Sequence, residues 1–436
     1  MTERTVLDNG MTILIKEMHH APLASFWMWY RVGSGDERSG ATGISHWVEH
    51  MLFQGTPQFP KGEMDRLVSR CGGMLNAVTS LDFTAYYEAL PSNEIDLGFR
   101  IEADRMLNAS LDPQDVESER TVIISERQGA ENSPHFLLDE EVKAAAFRIH
   151  AYRQDTIGAM CDLQAMTRDD LWAHYRAYYA PDNAIAVLVG DVDAQHALDR
   201  LGELFGPIPL GPPIPLTRRP EPEQRGERRI VRQGEGDVAY LQVDYHIPEA
   251  AAPDFFPLLV MDAALTGPPR MASSGGAGTN RSSRLYKALV EAELATSVHG
   301  GSLVTRDPYV YELGATVRAG HTLGEVEDAL SEVLDGIAGD SITEAELIKA
   351  IKQSKAQFAY AAERATNQAY WLGLAEMIAG YTWFETFIDR LSAVTIEDVG
   401  RVARTYLRAS NRTVGWYVPD VNGDSPGAAA RREPHG

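Results

Sequence analysis

The sequence contains one internal repeat, and this repeat limits the folds that the chain can adopt. The segment that begins at Thr167 resembles the segment that begins at Thr395, 228 positions later, and the same offset relates Asp170 to Asp398 without a gap. Each copy predicts a capped helix, a short turn at an asparagine and a strand. Because the offset is about half of the 436 residues, we predict two similar halves that arose by duplication. A chance likeness between two helix–strand units is the alternative.

A proline-rich segment separates the two copies. Between Gly206 and Gly226 the chain has seven prolines, which predict a stiff and extended linker. Each half mixes helix-like and strand-like segments, so we expect an α+β fold of two homologous α/β sandwiches, each a mixed sheet covered by helices. The predicted boundaries are an N-terminal domain at 1–212, the linker at 213–228, a C-terminal domain at 229–422 and a disordered tail at 423–436.

The composition excludes several classes of function. The chain has 40 Lys and Arg against 62 Asp and Glu, which gives a net charge of −22. A chain this acidic repels phosphate backbones, so nucleic acid is not an expected partner. Two cysteines cannot form a disulfide framework or a Cys-rich zinc site. No segment reaches the roughly 18 apolar residues that span a membrane, and no secretory signal is evident. We therefore expect a cytoplasmic protein without a membrane partner.

The segment around His46 and His50 predicts a metal site. Residues four apart share a helix face, so both imidazoles can reach one metal ion, with Glu49 beside them. The pattern is H-x-x-E-H, the zincin motif in reverse. Two imidazoles and a third ligand leave one position of a zinc ion open for water, and a neighbouring carboxylate can take the proton of that water. Thr42 is the predicted N-cap of this helix. Two histidines in a satisfied polar cluster are the alternative.

Further segments around this motif resemble the pitrilysin-type, or M16, inverzincin metallopeptidases. The similarity includes the glycine-rich approach from Gly33 to Gly43, the segment Met51–Thr56 and the segment Asn76–Tyr87. It extends from about Val6 to Val418, and the chain length fits the short-chain, two-domain branch of the family. The resemblance implies a zinc-dependent endopeptidase that hydrolyses short or unfolded peptides inside a chamber.

The resemblance also implies the composition of the active site. One Zn²⁺ per chain would be held by His46, His50 and Glu126, with zinc-bound water as the nucleophile and Glu49 as general base and acid. Glu119, two turns before Glu126, would orient one of the histidines. A solvated helical charge is the alternative for Glu119.

The family binds extended peptides along a strand near the metal. The resemblance places three residues of this chain near a peptide substrate, Asn76, Ala77 and Thr79. Strand addition to a sheet edge is the physical mode that this implies. Ordinary sheet packing is the alternative, and for Thr79 it is an equal one.

The second half resembles the catalytically silent half of the family. It has no second H-x-x-E-H, and Val290 and Thr296 stand where the family often has an Arg and a Tyr that hold the substrate carbonyl. A tetrahedral oxyanion still needs a donor. We therefore predict a heterodimer with a homologous chain that lacks zinc and carries the Arg/Tyr pair, and a homodimer is the alternative. A non-catalytic structural or peptide-binding subunit remains a different class of function.

Overall fold

The computed structural model describes residues 2–215, 217–268 and 281–420. The predicted tail at 423–436 lies outside these residues. In the described part, the first half contributes six strands and the second half five. The strands are β1 Glu3–Val6, β2 Thr12–Glu17, β3 Leu23–Tyr30, β4 Met74–Thr79, β5 Thr84–Pro91, β6 Ala184–Gly190, β7 Arg228–Gly234, β8 Tyr240–Ile247, β9 Ala295–Gly301, β10 Tyr309–Val317 and β11 Arg412–Pro419.

The two sheets share one plan. The first has the order β1-β2-β6-β3-β5-β4 and the second the order β7-β11-β8-β10-β9. In each sheet one pair is parallel, β2 with β6 and β7 with β11, and the remaining pairs are antiparallel. The second sheet therefore repeats the first without its β1, which confirms the predicted pair of mixed-sheet halves.

Helices cover both sheets. Those of the first half are α1 Ile44–Met51, α2 Glu63–Arg70, α3 Ile95–Asn108, α4 Pro113–Glu131, α5 Pro134–Ala146, α6 Met160–Ala165, α7 Arg168–Tyr178 and α8 Ala194–Phe205. Those of the second half are α9 Phe255–Leu265, α10 Leu323–Asp340, α11 Glu344–Ala361, α12 Ala365–Ile378, α13 Thr382–Glu385, α14 Phe387–Ser392 and α15 Ile396–Tyr406, and a π-helical segment covers Tyr286–Glu291. Among the described residues no helix has the length and apolar character needed to cross a membrane.

The internal repeat forms the same structure twice. Thr167 caps α7 and Thr395 caps α15. In each case the carboxylate three residues later, Asp170 or Asp398, accepts the backbone N–H of the capping threonine. The asparagine of each copy donates a 2.8 Å hydrogen bond to the carbonyl oxygen of the tyrosine that ends the preceding helix. A strand then begins directly after each asparagine. The likeness seen in the sequence is therefore a likeness of fold.

The two halves exchange helices. α12 of the second half packs on β3 and β6 of the first sheet, and α5 of the first half packs on β7, β8 and β11 of the second. Both contacts need a glycine, because a Cβ on Gly373 would lie 2.2 Å from the indole of Trp29 and a Cβ on Gly415 would lie 2.3 Å from Val142. One hydrophobic core accordingly contains residues of both halves. Neither sheet is covered by its own half alone.

The close contact at Gly373 gives a test of this exchange. In G373A the new methyl group must displace Trp29, and overpacking of this kind costs about 1–3 kcal/mol. Gly336 is the matched control, since it also lies in a helix, α10, but a Cβ there meets no atom within 4 Å. G336A should raise the free energy of unfolding by about 0.5–1 kcal/mol. Urea denaturation measures both, and equal stabilities of G373A and G336A would contradict the close packing of α12.

Candidate metal centre

The N-cap of helix α1 is Gly43, so the prediction of Thr42 as its N-cap is wrong. Gly43 has φ +84°, a left-handed conformation, and a Cβ on it would lie 2.1 Å from the carbonyl oxygen of Ile157. Only glycine fits both conditions without strain. The hydroxyl of Thr42 donates instead to Asp162 Oδ2 at 2.7 Å. Thr42 therefore ties the start of α1 to α6 and leaves the capping to another residue.

That residue is Glu37. Its carboxylate accepts the backbone N–H of Gly43 at 2.7 Å and that of Ser45 at 2.8 Å. A negative charge at this position also faces the positive end of the helix dipole. Burial raises the pKa of Glu37 to about 7, although both backbone hydrogen bonds act to lower it. Sequence reasoning missed this role, because no local capping rule connects Glu37 to a helix whose N-cap, Gly43, lies six positions later.

The structure brings together the three residues that the sequence nominates as metal ligands. His46 Nε2 and His50 Nε2 lie 3.2 Å apart on one face of α1. Glu126 Oε2, on α4, lies 3.8 Å from His46 Nε2 and 3.6 Å from His50 Nε2. Two nitrogen ligands at roughly 2.0–2.1 Å from one tetrahedral zinc ion would be about 3.3 Å apart. The two nitrogens and the carboxylate oxygen therefore fit a zinc ion in both chemistry and spacing.

Helix α4 carries both glutamates of the site. It starts with Pro113 in the first turn and with Asp112 as the N-cap, which accepts the N–H of Gln114 at 2.8 Å. The Arg120 guanidinium lies over the ring of Trp47 at 4.7 Å, which fixes α4 against α1. The same guanidinium donates to two backbone carbonyl oxygens at the end of α6 and just beyond it. These contacts set the side of α4 that faces the histidines.

Glu119 contacts a histidine of the site directly. Its Oε2 lies 3.2 Å from His50 Nδ1, and its Oε1 accepts a 2.7 Å hydrogen bond from Gln54. The side chain is only 12% exposed, so the alternative of a solvated charge does not describe it. A carboxylate at the second ring nitrogen sets the tautomer that leaves Nε2 free to bind a metal. Gln54 was not nominated from the sequence, and no spacing rule points to it.

The protonation of His46 and Glu49 suits a metal centre. Burial, with a smaller contribution from His50, lowers the pKa of His46 to about 4, so its imidazole is neutral at neutral pH. Burial is also the main cause that raises the pKa of Glu49. The Thr79 hydroxyl donates to the Glu49 carboxylate and acts in the opposite direction, as does His50.

The three residues nominated for substrate contact lie on β4, but on different faces. Ala77 and Thr79 face the core that contains α1, whereas Asn76 is exposed and pairs across the sheet with Tyr87, on the opposite face. Successive residues of a strand alternate between faces, which explains the separation. In the described part of the chain β4 is an edge strand that pairs with β5 alone. It thus offers an open edge next to the metal helix.

A second group of carboxylates has its own cation. Asp139, Asp244 and Glu312 come close enough to hold a metal ion. The ammonium group of Lys143, however, lies 2.7 Å from Asp139 and 2.9 Å from each of the other two. Because the ammonium of Lys143 already contacts all three carboxylates, the three-residue site on α1 and α4 is the better candidate for a metal centre within the described residues.

Family comparison agrees with the architecture. Residues 12–160 match the family model described as Insulinase (Peptidase family M16), and residues 165–354 match the model described as Peptidase M16 inactive domain. The chain belongs to the M16 peptidase family. The second match begins within the first structural half and ends within the second, and the segment with the two histidines lies within the first match.

Several M16 relatives resemble the chain over nearly its whole length. A zinc protease, PqqE, from Helicobacter pylori is 27% identical and covers 96% of this chain and 93% of its own. The mitochondrial-processing peptidase subunit beta of Lentinula edodes is also 27% identical, with 93% and 87% covered. A crystal structure of a Helicobacter pylori protease superposes with a TM-score of 0.90 at 26% identity, covering 96% and 100%. These M16 relatives support a peptidase role.

A distant structural neighbour shares the fold alone. A chain of Complex III2 from Candida albicans superposes with a TM-score of 0.80 at 15% identity, covering 95% of each chain. The same fold therefore also occurs in a chain of this complex.

The buried cap Glu37 makes stability depend on pH. Its pKa is about 7 in the fold against an ordinary value of 4.5. The folded state therefore holds this proton over the range in which the unfolded state loses it, and its contribution to stability falls as pH rises from 4.5 to 7. We expect the difference in unfolding free energy between wild type and E37Q to decrease over this range by roughly 1–3 kcal/mol.

Urea denaturation of both metal-free proteins at several pH values measures this difference. E291Q, which removes an exposed glutamate from the second half, controls for the loss of one negative charge. A difference between wild type and E37Q that stays flat, or that grows with pH, would contradict the assignment of Glu37 as a buried cap with a raised pKa.

Proposed function

We propose that the chain is a zinc-dependent endopeptidase that hydrolyses short or unfolded peptides inside a chamber. The observation that carries the proposal is the convergence of His46, His50 and Glu126 next to the buried carboxylate of Glu49. Membership of the M16 family and the relatives named as zinc proteases support it. The three convergent residues would hold one Zn²⁺ per chain, and Glu119 contacts the ring of His50 at its other nitrogen.

Zinc bound here would supply Lewis acidity, which lowers the pKa of water and polarises a carbonyl oxygen. The chain supplies the proton transfers. Glu49 takes a proton from the attacking water and later passes it to the leaving amine. The hydroxyl of Thr79 holds the Glu49 carboxylate in one orientation. Burial raises the pKa of Glu49 and so makes this carboxylate a better proton acceptor.

The open edge of β4 is the proposed binding site for the peptide. An extended peptide can add to this edge as a further strand, with its backbone hydrogen-bonded to the backbone of β4. Residues of such a peptide alternate between the face of Ala77 and Thr79, next to the metal helix, and the face of Asn76. Strand addition requires an extended segment, which is why short or unfolded peptides are the proposed substrates.

A partner chain would complete the site. The second half has Val290 in its π-helical segment and Thr296 on β9, and neither can donate a charged hydrogen bond to an oxyanion. We propose a homologous chain without zinc as the source of that donor, in a heterodimer. Relatives named as the beta subunit of a processing peptidase are consistent with a paired chain. A homodimer is the alternative.

A non-catalytic subunit is the second candidate function. Its support is the description of the second-half family model as an inactive domain, together with the structural neighbour in Complex III2. That family model covers residues 165–354, which lie outside the segment with the histidine motif, whereas the first half keeps His46, Glu49, His50 and Glu126. The retained set favours the peptidase.

The variant E49Q tests the peptidase proposal. It removes the proton acceptor but none of the three ligands, so zinc content should equal that of wild type. Cleavage of an unstructured fluorogenic peptide should fall by about 100-fold or more. E291Q, at an exposed glutamate of the second half, is the matched control and should cleave like wild type. Wild type without zinc, or full activity in E49Q, would refute the proposal and favour the non-catalytic subunit.

Native mass spectrometry of the complex isolated from the source organism tests the pairing. We expect a dimer that contains this chain and one homologous chain, because Val290 and Thr296 cannot supply the charged donor that the family often has at these positions. Two copies of this chain would support the alternative homodimer. A monomer that cleaves peptides at the full rate would contradict both forms of pairing.

A further inference from the structure

Arg218, in the linker between the two halves, is largely buried and binds the loop before the metal helix. Its Nε and Nη2 donate to the two carboxylate oxygens of Asp36, at 2.7 and 2.8 Å. Its side chain is only 13% exposed, and that of Asp36 is 9% exposed. A bidentate pair of this kind fixes both the position and the orientation of the carboxylate. The linker is thus anchored to the first half at a defined point.

The same guanidinium reaches two further carboxylates. Its Nη1 donates at 2.6 Å to Asp82, in the turn between β4 and β5, and at 2.6 Å to Asp307, in the loop between β9 and β10. The backbone N–H of Arg306 also donates to Asp82, at 2.9 Å. One linker side chain therefore joins the turn after β4 to the second half.

Both anchored segments end at the candidate metal centre. Asp36 is followed directly by Glu37, whose carboxylate accepts the amides of Gly43 and Ser45 at the start of α1. The turn that holds Asp82 follows Thr79, whose hydroxyl binds Glu49. Arg218 is therefore connected to the helix with the histidines through Asp36 and the hydrogen bonds of Glu37. It is connected to the proposed proton acceptor, Glu49, through Asp82 and the hydrogen bond of Thr79.

We infer that Arg218 is a positioning residue that couples the docking of the second half to the geometry of α1. Without its guanidinium, Asp36, Asp82 and Asp307 face one another with less compensating charge, and breaking a largely buried ion pair leaves carboxylates that repel. The Glu37 loop then loses its anchor, and the cap on α1 loosens. The inference rests on the proposed function only where it concerns zinc.

Hydrogen exchange at the amides of Gly43 and Ser45 tests the coupling without any assay of activity. We expect exchange about tenfold faster in R218Q, a factor typical for the loss of one charge-assisted hydrogen bond. D307N weakens the contact of Arg218 to the second half, together with the contact of Asp307 to His150, and leaves the bond from Arg306 to Asp82 in place. It should give a smaller change at the same amides. R225Q is the matched control, since Arg225 lies in the same linker, is 85% exposed and pairs with Glu223 of that linker; it should exchange like wild type.

Zinc titration of the same proteins gives the second measurement. The dissociation constant for Zn²⁺ should rise in R218Q, again by about tenfold, and stay unchanged in R225Q. If wild type binds no zinc, the proposed function fails, while hydrogen exchange still decides the role of Arg218.

Two results would overturn the inference. One is unchanged exchange at Gly43 and Ser45 in both R218Q and D307N. The other is a faster exchange that is spread evenly over the helices of both halves, which would show general destabilisation and no coupling to α1. If R218Q does not fold, the exchange of D307N against R225Q decides alone.

Discussion

The candidate site depends on the contact between α1 and α4. Two histidines four residues apart on one helix must meet a glutamate on the other, and neither helix can hold a metal ion by itself. Glu37 sets where α1 begins, and Asp112 sets where α4 begins. The Arg120 guanidinium over Trp47 then fixes the two helices face to face. These three contacts set the spacing of the candidate ligands, although none of them involves a ligand itself.

The two halves of the fold are held together by an exchange of helices. Each half lends a helix to the sheet of the other, α12 to the first and α5 to the second. The first sheet meets α12 with the closely packed indole of Trp29, whereas α5 meets the second sheet with the buried charge of its own Lys143, which pairs with Asp244 on β8. Duplication therefore preserved the arrangement of elements while the chemistry of the two halves diverged. The linker adds a third connection through Arg218, so the half without a metal motif still has a structural part in the site.

The sequence predicted the local features well and the long-range ones poorly. The repeated segments have the predicted helix, turn and strand, and their helices are capped by Thr167 and Thr395. His46 and His50 lie on one helix face, as a spacing of four residues predicts. The prediction of Thr42 as a cap failed because Gly43 is the N-cap residue and the carboxylate of Glu37 accepts the amides of Gly43 and Ser45. The helix exchange and the role of Gln54 depend on residues far apart in the chain, which no periodicity reveals. Family resemblance, rather than spacing, supplied Glu126 and Glu119.

X-ray absorption at the zinc K-edge tests the central claim most directly, because it reports which atoms surround the metal. With His46, His50 and Glu126 as ligands, the protein should bind one zinc ion per chain. The spectrum should fit a first shell of nitrogen and oxygen, with the outer-shell scattering of two imidazoles. A protein that binds no zinc, or a spectrum with sulfur ligands or without imidazole scattering, would contradict the assignment of this metal centre.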